Sequence, residues 1–144
     1  MNDKDTEKLL LECDAGTKMA VASFDEIMPK VQSEKMRKTM SECKSNHLKI
    51  NERIIDMLEK YGSQGKEPNP MAKAMSWMKT NVMGAMNDND STYASIVTDG
   101  CNMGIKSLNG YINDYPDASE EVKNIAVDLV KAEQMTLDRV KEFL

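Results

Sequence analysis

Cys13-Asp14-Ala15-Gly16-Thr17-Lys18 returns later in the chain as Cys101-Asn102-Met103-Gly104-Ile105-Lys106. The shared pattern is Cys, then Asp or Asn, any residue, Gly, any residue, Lys. The echo runs beyond these six positions. Pro29 is answered by Pro116, Ser33-Glu34 by Ser119-Glu120, and Glu52-Arg53 by Asp138-Arg139. Cys13 and Cys101 lie 88 positions apart, whereas Ser33 and Ser119 lie 86 apart, so a two-residue adjustment falls at the turn between them. Each half therefore reads as one helical hairpin, used twice.

The rest of the sequence supports an all-α reading. Aromatic residues make up 5% of the chain while methionines number 13, and neither β-branched runs nor Gly/Pro breaks are frequent. Hydrophobic periodicity marks a helix from about 5 to 28, with Leu9, Cys13, Thr17, Ala20, Phe24 and Ile27 on one face. A second, from about 33 to 61, carries Met36, Met40, Cys43, His47, Ile50, Ile54, Met57, Leu58 and Tyr61, with Ser33 as its N-cap. After the Gly- and Pro-containing stretch 62–70, a shorter helix is expected from about 71 to 86. Its apolar face is Met71, Met75, Met78, Val82, Ala85 and Met86, and Trp77 lies at the edge. A third long helix is expected from about 91 to 115, with Tyr93, Val97, Cys101, Gly104, Ile105, Leu108 and Ile112 inward. The last begins at about Ala118, where Asp117 and Glu120 resemble a capping box. Its inward stripe is Val122, Ile125, Leu129, Glu133, Thr136, Val140, Phe143 and Leu144.

A chain of 144 residues suits one domain with a real core. Its parts are hairpin 1 at about 5–61, a crossover at about 62–89 and hairpin 2 at about 90–144. A connection that long can travel the length of a four-helix bundle, giving the ferritin-like topology with one long crossover. The net charge of −5 and the lack of a basic stripe argue against nucleic acid as a partner. No apolar run reaches the roughly 20 residues needed to span a bilayer, so no membrane association is expected. Three cysteines make an odd number and no disulfide framework, and no signal peptide is visible. These features point to a reducing cytoplasm.

At Leu9-Leu10-Leu11-Glu12-Cys13-Asp14-Ala15-Gly16-Thr17-Lys18, the helical connector and Cys101 to Lys106, the chain resembles an uncharacterised group of bacterial ferritin-like proteins, a domain of unknown function. The resemblance covers nearly the whole chain. It implies the fold and little about activity, since the group has no settled one.

Four side chains able to bind metal fall near the midpoints of the four long helices. Counting from Pro29 puts Cys13 and His47 at one level, and counting from Pro116 puts Cys101 and Glu133 at one level. Cys13, His47, Cys101 and Glu133 are therefore the candidate interior site. A conventional di-iron centre needs a Glu from each of two helices and Glu-x-x-His from each of the others. Here Lys44 precedes His47 by three, Thr136 follows Glu133 by three, and cysteines replace the remaining carboxylates. No conventional cofactor is expected, and catalysis by such a centre is not. The alternative is a single zinc or iron ion held by two thiolates, an imidazole and a carboxylate. The plainer reading makes the cysteines small buried apolar residues and pairs His47 with Glu133. A Cys–His nucleophile would need a cleft that the pattern does not announce.

The Asn87–Ser91 break lacks the glycine and terminal glutamate of a calcium loop and reads as a helix cap. The methionines of the connector, able in principle to hold copper(I), read as packing on the bundle. Gly16 and Gly104 read as sites of close helix approach, and Lys18 and Lys106 as solvated charges. The function expected is a non-catalytic structural or interaction module, with a homodimer or a helical protein as partner. A metal-binding or redox protein is the alternative.

Overall fold

The structure, a computed structural model, describes residues 3–62, 76–82, 84 and 87–144. Among them there is no strand. Helix α1 is Asp3–Ile27 and passes into a 3-10 turn, Met28–Lys30, that contains Pro29. Helix α2 is Glu34–Lys60, and Gly62 (φ 67°) follows it in the left-handed conformation that commonly ends a helix. Residues 76–81 are helical and are called α3. Helix α4 is Asp90–Asp114, and α5 is Glu120–Val140.

Each hairpin opens its second helix with the same cap. Ser33 Oγ accepts from the Met36 N–H at 3.2 Å, and Ser119 Oγ accepts from the Val122 N–H at 3.3 Å. The expected capping box on Asp117 is thus displaced by two residues. Ala118 is buried, and its N–H donates to the Tyr115 carbonyl, so the helix starts only at Glu120. Asn89 caps α4 by accepting from the Thr92 N–H at 2.9 Å, as the Asn/Asp-rich break suggested.

Two contacts fix the topology. The backbone N–H groups of Gln32 and Ser33, in the first turn, donate to the carboxylate of Asp90 at 2.8 and 2.9 Å. The Ser119 N–H, in the other turn, donates to Thr6 Oγ1 at 2.8 Å. Each hairpin's turn is therefore tied to the start of the other hairpin. Helix α2 ends at the opposite end of the molecule from where α4 begins, so a single connection joins the two ends. Met78 and Val82, on or just after α3, are buried against the four long helices, and Trp77 packs there too. The rest of the expected connector stripe, Met71, Met75, Ala85 and Met86, lies outside the described residues.

Exposed ion pairs report the repeat directly. Arg53 bonds Asp128 at 2.9 Å, and Arg139 bonds Glu42. Arg53 and Arg139 are 86 positions apart, as are Glu42 and Asp128. The two bridges are copies of one contact, exchanged by an approximate two-fold axis between the hairpins, as in a two-fold dimer interface. The axis explains why the core has two similar halves. One contains Phe24, Ile27, Met36, Met40, Val97 and Val140, the other Leu9, Leu10, Ile54, Leu58, Val122 and Ile125. A layer with buried polar side chains, among them His47 and Glu133, lies between them.

Candidate functional site

His47 and Glu133 occupy equivalent positions of the repeat, 86 apart, and they meet across the α2–α5 seam. His47 Nε2 lies 2.5 Å from Glu133 Oε1. His47 Nδ1 lies 2.8 Å from the carbonyl oxygen of Cys43, one turn back on α2. A carbonyl only accepts, so Nδ1 carries a proton. The contact with Glu133 then holds one shared proton: either imidazolium donates to carboxylate, or carboxylic acid donates to neutral imidazole. Both arrangements leave the pair without net charge, which is what an interior site tolerates. Phe24 packs its ring edge-on to the imidazole, with centroids 5.5 Å apart. Burial works to lower the basicity of His47. The hydrogen bond and charge of Glu133, with the Cys43 carbonyl, outweigh it and hold the pKa above its ordinary 6.5.

The structure gathers three of the four expected residues. Cys101 is buried and lies close enough to the Glu133 carboxylate to feel its charge. Cys13 is absent from this group. It is buried in the other half of the core, with Leu9, Leu10, Ile50 and Ile54, while His47 faces Phe24 further along α1. Side chains lean towards the N-terminus of their helix, so in this hairpin a residue of α1 meets one of α2 that lies further from the turn. Counting equal distances from Pro29 therefore misplaced Cys13. Cys43 joins instead: it is buried and lies near enough to Glu133 and Cys101 to feel their charge.

All three thiols are held protonated. Burial, with smaller help from Glu12 and Asp14, pushes Cys13 up to about 12. Burial and then Glu133 push Cys101 far above the ordinary range, and burial raises Cys43. Thiols in this state are poor nucleophiles, because that role needs the thiolate. Among the described residues, no group of three or more His, Cys, Asp or Glu side chains is arranged to hold a metal ion.

The motif glycines have a different role from the one expected of them. A Cβ on Gly16 would meet only Leu129 Cδ2, at an ordinary 3.8 Å. A Cβ on Gly104 would lie 3.0 Å from Glu133 Oε2. Gly104 therefore makes room for a carboxylate, not for a neighbouring backbone. Both glycines line a groove of about 550 Å³ between α1 and α4, roofed at one end by Trp77 of α3 and backed by Leu129 and Glu133 of α5. Gly100 seats that roof, since a Cβ there would come within 3.1 Å of the Trp77 ring. The sequence pattern gave no sign of this groove.

A second buried polar group was also missed. Asp14 is fully buried on α1, with Oδ2 3.0 Å from Lys18 Nζ. Asn51 of α2 donates to Thr17 Oγ1 at 2.6 Å, and Thr17 Oγ1 donates to the Asp14 carbonyl at 3.0 Å. Lys18 is thus folded back onto a buried carboxylate, one turn along the helix, whereas Lys106 is exposed as expected. The local signal was available: Asp and Lys at i, i+4 favour such a pair.

Comparison with protein-family models, with curated proteins and with solved structures finds no match to this chain. No helix among the described residues is long and apolar enough to cross a membrane.

Proposed function

We propose that this chain is a ferritin-like four-helix bundle, built from two repeated hairpins, that works in the cytoplasm as a non-catalytic structural or interaction module. In this reading His47 and Glu133 occupy the level where ferritin-like proteins hold metal, and a shared proton replaces the ion. The observation that carries the reading is the double commitment of His47. One ring nitrogen serves the Cys43 carbonyl and the other serves Glu133, so a metal at His47 would have to displace one of them. Protonated thiols on Cys43 and Cys101 support the non-catalytic part of this reading, since a nucleophile needs the thiolate. Apolar side chains left exposed on α2 (Leu48 and Ile55) and α5 (Val127 and Met135) favour a protein partner or a second copy of the chain.

Elemental analysis of protein purified without chelator tests this reading. Far less than one metal ion per chain is expected, with His47→Ala destabilised but its metal content unchanged. Stoichiometric zinc or iron that disappears in His47→Ala would overturn it. Sedimentation at several concentrations reads out self-association separately.

A further inference from the structure

The groove between α1 and α4 has the size and lining of a small-molecule site. Its volume of about 550 Å³ lies within the range of roughly 300–1,000 Å³ that ligand pockets occupy. Most of its wall is apolar, including Met19, Phe24, Val97 and Leu129. Its ionisable lining is one-sided: Glu133 and Glu12 border it, and no Lys or Arg does among the described residues. Burial, and then the nearby Glu12 carboxylate, raise the pKa of the Tyr111 hydroxyl towards one end of the groove. Glu133 presents Oε2 beside Gly104, where any larger residue would crowd it. Counting His47 as protonated, the two carboxylates still leave the lining at net −1.

We propose that this groove binds a small apolar amine, with its hydrocarbon body along Gly16 and Leu129 and its ammonium head on Glu133 Oε2. A carboxylate oxygen has lone pairs enough to accept from a ligand while Oε1 stays with His47. A cationic head in a low-dielectric groove is favoured by the lining charge, and an anionic head of the same size is repelled. The protonated Cys101 thiol beside the head offers no nucleophile, so the site binds and does not react. This goes beyond the module proposed above and does not depend on whether that module self-associates.

The chain has one tryptophan and one histidine, and both report on this site. Titrating the full chain with n-octylamine at neutral pH should change Trp77 fluorescence saturably and shift the ring resonances of His47. Octanoate, with a similar body and the opposite charge, should bind at least about tenfold more weakly, as like charges at a binding site predict. Glu133→Gln should lower octylamine affinity by about tenfold or more, the scale of losing a charge-assisted contact. Should that variant fail to fold, Ala15→Phe fills the groove from α1 without touching the His47–Glu133 pair, and it should abolish both signals. Equal binding of octylamine and octanoate overturns the proposal. So does unchanged affinity in folded Glu133→Gln, or no saturable response at Trp77 and His47. Metal content is not read in these titrations, so their failure leaves the module reading to its own test.

Discussion

The two-fold axis passes through two seams, and they are filled in opposite ways. At the α2–α5 seam the equivalent residues are His47 and Glu133, long and polar, and they close on each other at 2.5 Å. Arg53–Asp128 and Arg139–Glu42 flank them symmetrically. At the α1–α4 seam the equivalent residues are Gly16 and Gly104, and the space they leave is a groove. One sequence repeat thus yields a locked seam and an open one. What differs is the side-chain length at the axis, where two copies of a residue must meet or fail to meet.

The largest effect should come from unbalancing the locked seam. Glu133→Ala leaves His47 buried without its partner and should cost about 3–5 kcal/mol in urea unfolding, the range for breaking a buried pair from one side. The double variant His47→Leu/Glu133→Leu should recover most of that loss. If the double variant is as unstable as the single, the seam depends on more than charge balance.

The open seam can be probed at its two glycines, which the repeat makes equivalent and the structure does not. Gly16→Ala should stabilise the chain by up to about 1 kcal/mol, because helix propensity improves and its new contact is ordinary. Gly104→Ala forces Glu133 Oε2 to move while His47 holds the other oxygen. It should lose that gain and fall below the parent, leaving the two variants about 1–3 kcal/mol apart. Equal shifts in melting temperature would remove the proposed difference between the copies.

A smaller effect should appear with pH. The folded pKa of His47 is raised above 6.5 while the unfolded chain keeps the ordinary value. The folded state therefore binds the extra proton, and the stabilisation is complete below about 6.5. It should decline as pH rises from there through the raised folded value. Unfolding free energies compared at pH 6 and pH 8 should show the fall, and the His47→Gln variant should lack it. The smallest effect belongs to the exposed bridges. Exchanging Arg53 and Asp128 should change stability little, and adding salt should remove the change.

Counting alone places Cys101 and Glu133 at one level, and the structure brings them to the same groove. The same count failed for Cys13 and His47, because side chains lean towards the N-terminus of their helices and so offset the levels at which α1 and α2 meet. The N-cap Ser33, the cap at Asn89 and the inward stripes were legible because each depends on a few neighbouring residues, save that the α-helix stops at Val140 and Leu144, expected inward, is exposed. The buried Asp14 was not, since its burial depends on Asn51 and Lys18 closing around it.

The sequence by itself determined that the chain is helical, that it is a hairpin used twice, and that His47 and Glu133 point inward. Periodicity and repetition are properties of one strand of covalent structure, so they can be read without a fold. The pairing of His47 with Glu133 was already the plainer sequence reading, and the structure bears it out; only the tertiary structure decided that Cys43 replaces Cys13 beside them and that the glycines bound a groove. Those outcomes depend on how far side chains reach across a seam, and that distance exists only once the helices have packed.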